Sequence, residues 1–209
     1  MLFFRSIFAV LVLAVAASAV AAQSVKSGEY GSLLIGVAAD GTLTGHFRET
    51  TGMDDKGRPR FTCSFVIRGE SGDDGFYRIK TWHPEFREEV IEGELSFVEM
   101  EGRSGLRLKL EGEHGGCWNV APMLKEDEGV EFELTSPGDW TEIRMAKAAK
   151  AYFHSSADAK SKGRAFIVKN DVVRISEIRA GWAAAIFKYD TGRTTRGWLK
   201  TDELYPAAP

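Results

Sequence analysis

The stretch Phe61-Thr62-Cys63-Ser64-Phe65-Val66-Ile67-Arg68 decides the reading of this chain. Phe61, Cys63, Phe65 and Ile67 recur at every second residue, the period at which an extended strand turns its side chains to one face. Cys63 therefore belongs with large hydrophobes on a core-facing side. Upstream, Leu33-Leu34-Ile35-Gly36-Val37 and Leu43-Thr44-Gly45-His46-Phe47 flank Ala39-Asp40-Gly41, where Asp-Gly supplies the positive backbone angles of a tight hairpin. Downstream, strands are expected around Phe76 to Trp82, Val90 to Val98, Leu106 to Leu110 and Val130 to Leu134. No window between Glu29 and Leu134 sustains a helical period for three turns. The expected class is all-β, with an antiparallel β-sandwich or barrel-like domain first. The polar stretch from Thr50 to Pro59 is expected to be a mobile loop.

Charge divides the chain. Residues 23–140 carry 13 Lys+Arg against 23 Asp+Glu, whereas residues 141–209 carry 13 against 7, so a whole-chain charge of -3 conceals an acidic first part and a basic second part. The turn cluster Ser136-Pro137-Gly138-Asp139 lies where the sign changes, which places an acidic domain at 23–140 and a second domain at 141–209. Such asymmetry suits docking of the two parts on each other, or attraction of the basic part to an anionic partner. Between the two, Met145 to Ala151 has helix-forming composition but a two-residue alternation of Ile143, Met145, Ala149 and Ala151, and a strand is expected.

Residues 1–22 have the pattern of a secretory signal peptide: Arg5 is the only charge, Ile7 to Ala22 is apolar or small throughout, and Ala17-Ser18-Ala19 and Val20-Ala21-Ala22 offer cleavage sites. No Cys follows to carry a lipid. Export to a periplasmic or extracellular space is expected, without stable membrane insertion after cleavage. An oxidising space makes a Cys63–Cys117 disulfide the simplest use of the two cysteines. The alternative treats Cys117, in His114-Gly115-Gly116-Cys117-Trp118, as a thiol nucleophile with a histidine base. On the disulfide reading, Gly-Gly is a turn bringing Cys117 to Cys63, with His114 and Trp118 as flanking packing. His46, His83, His114 and His154 are scattered along the chain, so no metal or cofactor is expected. Nucleic acid is not an expected partner, because the basic surplus is small.

From about Ala149 the chain resembles the bacterial SH3 (SH3b) family. The segments that carry the resemblance are Ala151-Tyr152-Phe153-His154-Ser155, a polar loop through Gly163, Ala165 to Val173 as a diverging turn, Gly181-Trp182, Gly197-Trp198-Leu199 and Asp202-Glu203-Leu204. The resemblance implies a small five-stranded SH3-like barrel, with Phe166, Val168, Val172, Ile175, Leu199 and Leu204 inside and Asp190-Thr191-Gly192 as a hairpin turn. It also implies binding rather than catalysis, along a groove using Trp182 and Trp198 with Tyr152 and Tyr205 beside them. Lys200 to Leu204 lacks the Pro and Tyr of a proline-binding groove, and Ala183 stands where a second Trp is frequent, so a proline-rich peptide is not the implied ligand.

The leading expectation is a secreted, non-enzymatic protein that binds a cell-envelope ligand, a cell-wall peptide or glycan or an envelope protein, through this domain. Two others compete: an inhibitor or immunity protein against a cell-wall hydrolase or toxin, which an acidic disulfide-stapled scaffold would suit, and a wall-associated enzyme with the SH3b part as targeting module, for which His114 to Trp118 is the one concentrated cluster.

Overall fold

The computed structural model describes residues 25–72 and 74–209; the expected signal peptide at 1–22 lies outside them. Within the described residues the chain is all-β, in two hydrogen-bonded sheets. The first is an antiparallel meander of β1 (Gly28–Tyr30), β2 (Leu33–Val37), β3 (Leu43–Met53), β4 (Pro59–Ser71), β5 (Phe76–His83), β6 (Phe86–Met100) and β7 (Arg103–Leu110), completed by β8 (Val130–Glu133) and β9 (Ser136–Pro137). β8 pairs with β7 while β9, two residues later, pairs with β1. The Leu134 amide also donates to Ser104 and the Thr135 amide to Glu29. One extended segment thus meets both edges of the sheet, so the sheet is curled. Of the two arrangements expected, this is the barrel-like one.

The alternation read from the sequence explains the interior. Cys63, Phe65 and Ile67 are buried with Leu33, Ile35, Leu43, Phe47 and Leu106 in one cluster, which removes their apolar surface from water. Phe61, expected on the same side, is 44% exposed. It lies where the β3–β4 hairpin outruns its neighbours, since β4 pairs with β5 only from Val66 onward. That hairpin corrects a second expectation. Thr50 to Met53 are strand rather than mobile loop, because Asp54 closes the turn by accepting from the Lys56 and Arg58 amides and pairing with the Arg58 guanidinium at 2.8 Å. The Asp40-Gly41 hairpin forms as expected, with Gly41 at φ 83° and Asp40 accepting from the Thr42 amide.

Cys63 and Cys117 are disulfide-bonded with Cα atoms 4.4 Å apart, which removes the thiol-nucleophile alternative. The approach depends on Gly116: it sits at φ 84°, and a Cβ there would lie 2.8 Å from the Thr62 carbonyl oxygen. The bond draws Cys117, with Leu124 of the following short turns, into the same core. His114 packs as expected, whereas Trp118 does not, being 66% exposed. An oxidising, non-cytoplasmic compartment follows from the bond, and no helix among the described residues is long and apolar enough to cross a membrane.

The second sheet contains β10 (Glu142–Met145), β11 (Lys150–His154), β12 (Lys162–Val168), β13 (Val172–Arg179), β14 (Trp182–Lys188) and β15 (Thr194–Lys200), in the order β10-β13-β14-β15-β11-β12. The ambiguous Met145 to Ala151 stretch is strand only at its ends, Met145 closing β10 and Lys150-Ala151 opening β11; between them Ala146 makes a single bridge and Lys147 to Ala149 turn. After β15 a 3-10 turn, Thr201–Glu203, leads to a bridge between Leu204 and Ala146. The core is thin-walled, with Ala146, Ala151, Ala183 and Ala185 packed among Phe153, Ile167, Val173, Ile175, Leu199 and Leu204. The expected interior set is out of phase on β12, where Ile167 is buried and Phe166 and Val168 are 38% and 43% exposed. Ile167 faces the buried Ala151 in register, and a pair across a ladder shares one face, so its neighbours must point outward. Val172 turns to the junction between the sheets instead.

The two units dock. Trp140, buried at the junction, donates its indole N–H to the Ile35 carbonyl at 2.7 Å and lies beneath the Arg174 guanidinium. The Ile143 amide donates to Thr44 Oγ1 at 2.8 Å. Glu29 of the acidic unit receives both Arg174 (2.7 Å) and Lys188 (2.8 Å) of the basic unit, and Lys169 pairs with Glu85. Val66, Trp82 and Met145 form a small apolar cluster across the junction with Val172 and Tyr205.

Candidate functional site

Cross-strand register places the expected binding residues. Residues opposite one another in a ladder project from the same face. Lys162 faces His154, His154 faces Trp198, Trp198 faces Ala184 and Ala184 faces Glu177, a single row across β12, β11, β15, β14 and β13. In the adjoining row Trp182 lies between Lys200 and Arg179. Ala183, Ala185 and Leu199 are buried on the opposite face, so Trp182 and Trp198 stand together on the outer one, each half-buried. Tyr152 joins them from β11. Tyr205 does not, because its ring packs in the apolar cluster at the junction.

The outer face is organised by cations as well as rings. The Lys162 ammonium lies 3.7 Å from the centroid of Tyr152, Arg179 stacks 4.3 Å over Trp198, and Lys150 lies 4.7 Å over Phe166, whose ring is 5.5 Å from Tyr152. His154, buried in the middle, donates from Nδ1 to the Asp158 carbonyl at 3.1 Å and meets the Trp182 ring edge to face at 4.7 Å. These contacts hold the indoles and the phenol in place without hiding them. At the rim, burial raises the Glu203 carboxyl above its ordinary range, opposed chiefly by Lys200; its Oε2 is buried without a hydrogen-bond partner. Sequence reasoning missed Lys150, His154, Lys162, Phe166 and Arg179. Each meets its aromatic partner from a different strand, and His154 and Arg179 reach across an intervening one, so no local spacing marks it.

A second region lies in the cleft between the units, of about 690 Å³, lined by His46, Arg48, Ser64 and His83 on one wall and by Lys169 to Val172 and Phe187 to Asp190 on the other. His46 Nε2 and Ser64 Oγ are hydrogen-bonded at 3.0 Å, the geometry of a base beside a nucleophile. Burial, reinforced by the charge of Arg48, pushes His46 down to about 3, and no carboxylate pairs with it among the described residues. A base that weak draws little proton density from a hydroxyl at neutral pH. His114 is held in the same neutral state. It stacks on Phe65 at 4.6 Å, and because the Thr81 hydroxyl already donates to the Ile91 carbonyl, His114 Nε2 donates to Thr81 Oγ1 at 2.7 Å. Burial lowers it to about 4. Among the described residues no group of three or more His, Cys, Asp or Glu is placed to hold a metal ion.

The arrangement defines an all-β, disulfide-bonded protein whose basic unit carries an aromatic outer face. No protein family matches the chain, and neither a curated protein nor a solved structure resembles it closely enough to register as a match.

Proposed function

We propose that this is a secreted, non-enzymatic binding protein, its second unit an SH3b-like domain that holds a cell-wall peptide or glycan against the outer face of Tyr152, Trp182 and Trp198. The observation that carries this is the juxtaposition of two half-exposed indoles on adjacent strands, backed by buried His154. Rigid aromatic faces give contact area at little entropic cost and suit extended chains and sugar rings. The β13-β14-β15 meander, the 3-10 turn after it and the return of Leu204 to Ala146 support the SH3b-like reading. The disulfide supports a place outside the cytoplasm, where such ligands occur. Tyr205, partly buried against the cluster of Val66, Trp82 and Met145, stands apart from the face.

The test is retention on purified peptidoglycan sacculi, with the wild-type protein and Trp182→Ala compared. The wild type is expected to sediment with the sacculi and the variant to stay in solution. Equal retention of the two, or retention of neither, overturns the reading.

A further inference from the structure

Several exposed arginines of the first unit are spent on carboxylates: Arg78 pairs with Glu94, Arg103 with Glu133 and Arg107 with Glu131. The outer face of the second unit is different. Lys150, Lys162 and Lys200 make no ion pair among the described residues, and Arg179 reaches Glu177 only at 3.5 Å. Three of these four cations rest on aromatic rings instead. A ring attracts a cation through its quadrupole without neutralising it, so each ammonium or guanidinium keeps its charge and presents its free side to solvent. Of the nearby acids, Glu177 lies 3.5 Å from Arg179, Asp158 is engaged by the Lys160 amide, and Glu203 is half-buried with Asp202 beside it.

The positive charges are also spread out. From β12, which carries Lys162, to β13, which carries Arg179, the face spans four strand intervals, about 19 Å at ordinary strand spacing. That span exceeds one sugar ring or one phosphate, and cations and rings are interspersed across it: Lys162 lies on Tyr152, Lys150 on Phe166 and Arg179 on Trp198, with Trp182 on the strand beside Trp198.

We infer that the ligand of this face is an acidic polysaccharide, its sugar rings stacked on Trp182, Trp198 and Tyr152 and its carboxylates paired with Lys162, Arg179 and Lys150. The inference rests on the face being a binding surface, as proposed above, and adds the chemistry of the ligand. A chain in which each unit is both ring and anion matches a surface on which rings and cations are interspersed. An acidic peptide brings its anions on flexible stems, and an anionic membrane presents charge without rings to stack.

The experiment is a tryptophan-fluorescence titration of the disulfide-bonded protein with polygalacturonate, dextran, polyglutamate and phosphatidylglycerol vesicles, at low and high salt. Polygalacturonate is expected to bind most tightly and to be released by salt, and dextran not to bind. Lys162→Gln combined with Arg179→Gln, both exposed positions, is expected to weaken polygalacturonate binding about tenfold and to flatten its salt dependence. Dextran bound as tightly as polygalacturonate, tighter binding of polyglutamate or vesicles, or unchanged affinity of the double variant overturns the inference. Sacculi separate the two failures. If the double variant is retained like the wild type while Trp182→Ala is not, the acidic ligand is wrong and the binding face stands; if Trp182→Ala is retained like the wild type, both fall.

Discussion

Lowering the pH from about 7.5 to about 5 should cost this protein roughly 4 kcal/mol of folding stability through two buried histidines. His46 and His114 are 6% and 8% exposed, and burial pushes their folded pKa values down from 6.5 to about 3 and about 4. Unfolding returns each to its ordinary value. The folded value lies below the unfolded one, so between the two the unfolded chain binds protons that the native protein refuses. Stability therefore falls as pH drops through 6.5 and keeps falling until the native imidazoles titrate. Over this interval each histidine contributes about 2 kcal/mol, a large fraction of the 5–15 kcal/mol typical of a domain. Most carboxylates add little, because the interval lies above their range; Glu203, raised by burial, acts in the opposite direction by favouring the folded state as pH falls, and Glu29, held lower by Lys188 and Arg174 against the opposing effect of burial, acts only in stronger acid. Urea unfolding followed by tryptophan fluorescence at the two pH values measures the difference directly. His46→Gln and His114→Gln should each remove about half of the pH dependence, whatever they do to stability itself. A wild type with flat stability across this interval, or a double variant as pH-sensitive as the wild type, would refute the assignment of both histidines as buried neutral groups.

The disulfide closes a loop with a sequence separation of 54, for which chain entropy gives about 4 kcal/mol; Cys63→Ala with Cys117→Ala should lower the urea midpoint accordingly, and an unchanged midpoint would show that the loop is held by other contacts. Trp140→Phe keeps the ring at the junction but leaves the buried Ile35 carbonyl without its donor. A loss of about 1–3 kcal/mol is expected, and protease sensitivity between Pro137 and Glu142 should rise; a fully stable, resistant variant would argue that the indole N–H does not hold the units together.

Much of the architecture is legible along the chain. Period-two alternation at Cys63, Phe65 and Ile67, the Asp40-Gly41 and Asp190-Gly192 turns, and the scarcity of helical periodicity are local properties, and each has its counterpart in the strands and hairpins. Local properties fail where two faces are both apolar enough to be inside. β12 offers Phe166, Ile167 and Val168 in succession, and the choice falls to Ile167 because its partner across the ladder is the buried Ala151. The same holds for Tyr205, an aromatic near the expected groove that packs at the junction once Met145 and Trp82 arrive from distant parts of the chain.

By itself the amino-acid sequence determined the all-β class and the opposite charges of the two parts, and made a disulfide the simplest use of its two cysteines, since these depend on residue type and near-neighbour order. The tertiary structure alone decided that the first sheet curls until one segment meets both edges, that Glu29 receives two cations of the second unit, and that Lys162 and Arg179 settle on Tyr152 and Trp198. Those contacts join residues on different strands or different units. Their free energy comes from side chains that only the completed fold brings within reach, and Glu29 lies 145 and 159 residues from its two cations.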